Sequence, residues 1–528
     1  MNAAPAKPWR QRLGAVHTWV GIVLGALLFV IFWMGTLSVF DREIDRWMMP
    51  ATRLASPAGP TRLAAPASPT RLAAPAGAPH LDAIAPLAQA LVPAGARQWR
   101  IDWATPRTPV LRLSWQTQDG QRELRYLDPA TLAIIADPGT LGASGFFFPF
   151  HYGLMISWND LGKWLVGLAG MAMLVLLVSG VVIHRKLFAD FFTFRPRKRL
   201  PRSSLDLHNV TGVLGLPFHF LITLSGLVIF WAIYFPQAHE GVYGSGAQAK
   251  AAVQADGYGR YRAKAAPDAA PRPLASLDAM ADQARAHWGD GAEPYFVRIW
   301  KPGQADSYVE LRRSYASEVS MNLDQLYFDA GTGRFLHQFN AAPAMAVQRF
   351  FSGLHFIQFE HPLLRWLYFG LGLSGCVLIA TGLVFWLAAR RKATAPGWRW
   401  RLVEALCTAS TAGLIAATLG FLCANRLLPQ GAQWGGSDRA ALEVLAFFGL
   451  WALALAHALR RGLPAWREQA WAIAALAMAA ALLNAATTDA YTRLATPWAV
   501  WGVDAVLLAI AATAVHAARR LQARGLAA

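Results

Sequence analysis

Eight stretches of this chain are long and apolar enough to cross a lipid bilayer: roughly 17–40, 161–184, 210–235, 363–388, 403–424, 440–459, 469–487 and 496–517. A helix rises about 1.5 Å per residue, so a hydrocarbon layer about 30 Å thick needs about 20 apolar residues. Inside lipid every backbone polar group must be satisfied within the segment, which makes helices the expected form. The composition agrees: 55% of 528 residues are apolar, 15% are charged, and mean hydropathy is +0.30. The first run is too long, and too poor in a small-residue cleavage site, for a simple signal peptide; it reads as an uncleaved anchor.

Basic residues in the short flanks orient such helices, because Lys and Arg stay on the cytoplasmic side. Lys7, Arg10 and Arg12 precede the first run. Seven basic residues from Arg185 to Arg202 join the second and third, and five from Arg390 to Arg401 join the fourth and fifth. Arg460, Arg461 and Arg467 join the sixth and seventh, and Arg519, Arg520 and Arg524 follow the eighth. The alternate connections are poor in such clusters. The pattern predicts eight spans, both termini cytoplasmic and two large loops outside. The net charge of +18 is then topology plus attraction to anionic lipid; it is no sign of a nucleic-acid partner. All three cysteines (Cys376, Cys407, Cys423) fall in spans, so the outer loops hold no disulfide framework.

Internal repetition sets the organisation. Residues 52–78 are three copies of a nine-residue Pro/Ala-rich unit beginning Thr-Arg-Leu, which cannot bury a core and reads as a disordered tether. Two outer regions share a plan: a short helix (80–92; 274–288), then three strand-like runs (97–103, 109–115, 122–127; 294–300, 307–313, 319–328). The third run ends alike in both, Tyr126-Leu-Asp128-Pro-Ala-Thr131 and Tyr327-Phe-Asp329-Ala-Gly-Thr332. The apolar runs repeat too. His17-xxx-Gly21 recurs as His208-xxx-Gly212; Gly35 and Gly226 each follow 18 residues after those histidines. His151 lies 29 residues before Gly180, and His355 lies 27 before Gly382. The expected fold is a membrane α-helical bundle of about eight transmembrane helices with two periplasmic α+β domains, built by tandem duplication of helix–domain–helix. Its parts are helix one in 1–40, the tether in 41–79, the first outer domain in 80–150, helices two and three in 151–235, the second outer domain in 236–345, helix four in 346–392, and a four-helix extension in 393–528.

Six histidines lie in or beside the apolar runs: His17, His151, His184, His208, His219 and His355. An imidazole in lipid costs free energy unless it has a partner or a task. No cysteine spacing for zinc or iron–sulfur accompanies them. Paired histidines between helices suit a b-type haem, and bis-His ligation suits electron transfer. On one straight helix, His208 and His219 would share a face at about 16 Å of rise, room for two stacked haems. His17, His184 and His208 form a lower group, any two of which could hold one haem. His219, His151 and His355 are candidates for an outer one. No Rossmann, P-loop, HExxH or GxSxG motif stands out, so electrons must come from a cytoplasmic partner or the quinone pool.

These motifs resemble the PepSY-associated transmembrane family. The segment Ile183-His-Arg-Lys-Leu-Phe-Ala-Asp-Phe-Phe-Thr-Phe-Arg-Pro196, the Asp206-Leu-His-Asn-Val stretch and Pro217-Phe-His219 carry the likeness, over about residues 10–392. They are similar to the branch of iron-regulated inner-membrane proteins that includes ferric-siderophore reductases. That resemblance implies PepSY-like outer domains, an inner-membrane location, the six histidines as haem-iron ligand candidates, and a ferric siderophore or other periplasmic ferric chelate as electron acceptor. Two rivals keep parts of the pattern: a haem-containing subunit for another periplasmic reductase, and a non-enzymatic PepSY-domain scaffold.

Overall fold

The computed structural model describes residues 9–54, 80–184, 193–196, 198–261, 270, 272–289, 291–391, 397–488 and 497–523. Most of the Pro/Ala repeat and of the basic segment after His184 lie outside the described residues. In chain order the main helices are α1 (Trp9–Ser38), α2 (Asp41–Met48), α3 (Leu81–Leu91), α4 (Gly142–Gly153) and α5 (Leu161–Ile183). Next come α6 (Leu200–Leu214), α7 (Leu216–Ile229), α8 (Leu277–Trp288), α9 (Pro343–Phe356) and α10 (Pro362–Arg390). The last four are α11 (Trp398–Leu427), α12 (Arg439–Arg461), α13 (Pro464–Thr487) and α14 (Trp498–Ala523).

Seven of these helices are long and apolar enough to cross a membrane, which makes the chain a multi-pass membrane protein. The eighth expected span is instead a bent pair: α6 and α7 meet at 67°. Pro217 supplies the reason. It has no N–H for the carbonyl one turn back, and its ring crowds the preceding turn.

The chain divides into two compact units. The first comprises residues 1–50, 139–227 and 362–528 and holds the apolar helices. Several of its buried polar side chains are paired with one another. Arg365 of α10 donates to Glu43 of α2 at 2.9 and 3.1 Å, both being nearly inaccessible. Trp47 of α2 donates to Asp504 of α14 at 2.8 Å, and Asn484 of α13 donates to the other Asp504 oxygen at 2.9 Å. Glu443 of α12 accepts from Thr140 and from Asn425. The amphipathic α2 thus ties the four C-terminal helices to the rest of the unit.

The second unit comprises residues 51–138 and 228–361. Its strands are β1 (Gln98–Asp102), β2 (Leu111–Gln116), β3 (Arg122–Leu127), β4 (Ile134–Ile135), β5 (Pro294–Trp300), β6 (Tyr308–Arg313), β7 (Gln325–Asp329) and β8 (Phe335–Phe339). Two outer domains were expected from the sequence; their strands join one antiparallel sheet in the order β4-β3-β2-β1-β5-β6-β7-β8. The joint is the β1–β5 pair, centred on Arg100 opposite Arg298. On one face Leu81 and Ile84 of α3, and Leu277 and Met280 of α8, bury Trp99, Ile101, Val297 and Ile299. The helices cap one another. The Asp278 carboxylate accepts from the Leu81 and Asp82 amides, and Asp82 accepts from those of Leu277 and Asp278. Each carboxylate satisfies first-turn amides that a helix cannot pair itself. The recurring Asp-x-x-Thr is an Asx turn: Asp128 accepts from the Ala130 and Thr131 amides, and Asp329 from those of Gly331 and Thr332.

Two outcomes follow from these contacts. Removing one partner of a buried ion pair strands the other, so Glu43→Ala should destabilise the full-length protein by about 3–5 kcal/mol. Glu43→Gln combined with Arg365→Met should cost clearly less, as thermal unfolding in detergent would show; equal losses would mean the pair is not the source. Asp82→Ala should speed hydrogen exchange at the first turn of α8 as well as α3, because its carboxylate caps the neighbouring helix. Faster exchange confined to α3 would contradict reciprocal capping.

Candidate functional site

The histidines of the first unit occupy helices that face one another across short contacts. His17 on α1 and His208 on α6 bring their rings to 6.5 Å between centroids, nearly perpendicular at 82°. Each Nδ1 is committed. The Ser179 hydroxyl of α5 donates to the Leu176 carbonyl at 3.2 Å and so accepts from His17 Nδ1 at 2.9 Å. His208 Nδ1 donates to the Leu378 carbonyl of α10 at 2.8 Å. That arrangement fixes the tautomer and leaves Nε2 of both rings unprotonated and, among the described residues, without a hydrogen-bond partner.

A glycine makes each contact possible. A Cβ on Gly180 would lie 3.3 Å from His17 Cε1, and one on Gly382 would lie 3.1 Å from His208. The spacing matches: Leu176 is four residues before Gly180, and Leu378 is four before Gly382. Small hydroxyl residues precede both glycines (Ser179, Thr381). That Ser/Thr-Gly pair was the sequence signal for the histidine-supporting wall, and sequence reasoning used only its glycine.

His219 on α7 is fully buried. Its Nε2 lies 3.1 Å from the Ser374 hydroxyl and 3.3 Å from the Leu371 carbonyl, both of α10, while its buried Nδ1 has no hydrogen-bond partner among the described residues. Its ring packs edge-on against Phe32 of α1 at 6.1 Å. His151 sits near the end of α4, in a phenylalanine-rich helix preceding α5 that the sequence reading left undescribed. Its Nδ1 donates to the Ile31 carbonyl of α1 at 2.9 Å, and its ring fills the space a Gly35 side chain would take. His151 and His219 therefore meet neighbouring positions on the same turn of α1. His184 follows the last residue of α5. His355 lies in the last turn of α9, in the second unit.

One expectation fails. His208 and His219 do not share a face of a straight helix at about 16 Å of rise, because the 67° bend falls between them. Gly215 at the bend carries His219 directly over it: a Cβ there would stand 2.3 Å from the ring.

The first unit brings two imidazoles together on facing helices. Among the described residues no group of three or more His, Cys, Asp or Glu side chains could hold a metal ion. A haem iron asks the protein for only one or two axial ligands. His17 and His208 would supply the two imidazoles that such a group takes.

A family model for the PepSY-associated TM region matches residues 15–389. The chain belongs to that family. Its relatives include Uncharacterized protein PA4219 of Pseudomonas aeruginosa, 31% identical over 323 residues, a match covering 56% of this chain and 76% of that protein. The matched region holds all six histidines and ends before α11, so the four C-terminal helices stand outside it.

The close packing at the bend is testable without any ligand. Gly215→Ala forces a methyl group into the His219 ring, an overpacking that should cost about 1–3 kcal/mol, whereas Gly449→Ala, with open space around it, should be neutral. Thermal unfolding of the two variants would decide; equal stability would show that the ring moves aside freely.

Proposed function

We propose that this member of the PepSY-associated TM family is an inner-membrane, di-haem b electron-transfer protein. It reduces ferric iron in periplasmic chelates, siderophores above all, and has cytoplasmic termini. The observation that carries the reading is the His17–His208 pair, with both Nδ1 atoms engaged and both Nε2 atoms unprotonated. In the proposed assignment these two side chains hold one haem, with His184 the alternative ligand for it, and His219, His151 or His355 supplies the second. Haem, when bound, supplies one-electron transfer through the apolar layer.

The protein's own residues do the rest. The Leu378 carbonyl and the Ser179 hydroxyl hold each ring in one tautomer and orientation, which also raises ligand basicity. The apolar helices around them exclude water and thereby tune the potential. The matched pairs His17/Gly180 and His208/Gly382 support tandem duplication of a helix–domain–helix unit. The two halves of the sheet are its PepSY-like domains in that reading. Electrons enter from the quinone pool or a cytoplasmic partner. Reduction of the chelated ion lowers its charge and so weakens its hold on anionic oxygen donors, which releases the iron.

Absorption spectra with haem quantification test this. The purified protein should carry two b-type haems per chain, reducible by dithionite. His17→Ala and His208→Ala should each remove the same haem, and His219→Ala should alter the other. Colourless protein from haem-replete cells would refute the proposal. Unchanged spectra in the His17 and His208 variants would refute the ligand assignment.

A further inference from the structure

The face of the sheet turned away from α3 and α8 carries more positive charge than its acids can neutralise. Arg100 on β1 pairs in register with Arg298 on β5, and Arg298 with Glu310 on β6. One row along, Phe296 lies opposite Arg312. Three guanidinium groups converge on the fully buried Phe296 ring: Arg100 at 3.9 Å, Arg298 at 4.7 Å and Arg312 at 5.7 Å from its centroid. Arg349 of α9 lies against Tyr258 at 4.7 Å.

Two carboxylates serve this cluster. Asp102 bonds Arg100 and lies 3.5 Å from Arg112; Glu310 lies 3.2 Å from Arg298. Among the described residues neither Arg312 nor Arg349 makes an ion pair with a carboxylate, and Arg312 shares Glu310 with Arg298. Arg349 donates to the Gly257 carbonyl at 3.4 Å. The Nε atoms of Arg100, Arg298, Arg312 and Arg349 are buried without a hydrogen bond to any described residue. Five guanidinium groups thus face two carboxylates. Burial pulls Arg349 down to about 10, and burial together with neighbouring cations lowers Arg298 and Arg312, with Glu310 opposing. Arg100, Arg112 and Arg298 keep 22%, 21% and 21% of their side chains exposed and form the open edge of the cluster, while Arg349 is buried.

A buried excess of like charge is costly unless something of opposite charge meets it. Guanidinium forks match planar carboxylates and adjacent oxyanions, and stack on rings as they do on Phe296. We propose that this arginine-rich sheet face binds anionic metal chelates, of carboxylate or catecholate type, in preference to neutral hydroxamate chelates. The inference rests on the reductase reading for the choice of a chelate as occupant. Its charge logic stands on the cluster alone.

Gallium(III) chelates separate binding from electron transfer, because gallium(III) does not accept an electron from haem under these conditions. The full-length protein in detergent should bind gallium citrate and gallium tris-catecholate at least tenfold more tightly than neutral gallium tris-acetohydroxamate, by calorimetry. Affinity for the anionic chelates should fall as salt is raised. Arg312→Gln with Arg349→Gln should weaken them at least tenfold while leaving haem content and spectra unchanged. Arg312→Lys, which keeps the charge and loses the fork, should give a smaller loss and serves where the double variant fails to fold. Equal affinity for the neutral chelate, or no change in the variants, would overturn the proposal. So would inorganic phosphate binding as tightly as the chelates, the result expected of a lipid-headgroup site. Anionic binding without any haem would sink the reductase reading and leave the arginine site standing.

Discussion

An imidazole in a hydrocarbon layer must hydrogen-bond or ligate, and the helix arrangement of the first unit answers that demand twice in the same way. His17 reaches α5 beside Gly180, and His208 reaches α10 beside Gly382. Each contact needs a carbonyl or hydroxyl in the facing helix and a glycine that yields room for the ring. The two contacts fix which helices pair, α1 with α5 and α6 with α10, and they bring the two histidines within 6.5 Å of each other. In the proposed function this is what turns four apolar helices into a cofactor site.

The bend between α6 and α7 belongs to the same solution. Pro217 breaks the ladder, Gly215 accepts the His219 ring, and α7 leaves at 67°. The ring then reaches α10 through Ser374 and α1 through Phe32. A straight helix would have kept His219 in line with His208. The ion pair of Glu43 with Arg365 and the Trp47–Asp504 bond pair further buried charge among the apolar helices.

Much of this was legible in the sequence, for identifiable reasons. Seven spans were readable because twenty apolar residues in a row have few other uses. The strands at 294–300 and 122–127 were readable from their length and composition, and β5 and β3 fall on those residues. Other features depend on distant partners. The joining of both sets of strands into one sheet rests on β1 meeting β5 across about two hundred residues, which no local pattern records. The 67° break was missed because the 100° periodicity was carried through Pro217, whose ring and missing N–H break a regular helix. The six histidines were identifiable singly. The lower group of His17, His184 and His208 was readable from the repeat, but not which two of them meet, since spacing along one chain cannot say which helices face each other; nor could it show the arginines gathered around Phe296.

The central claim is that the paired histidines hold haem that delivers electrons to chelated ferric iron. Anaerobic stopped-flow mixing of dithionite-reduced protein with a ferric chelate tests it most directly, with a ferrous-specific chelator present to trap the product. The account predicts that haem reoxidation and ferrous trapping proceed together, one iron per electron, and that both are lost in His208→Ala. Haem that stays reduced with several ferric chelates, yet reoxidises with a different periplasmic acceptor, would contradict it.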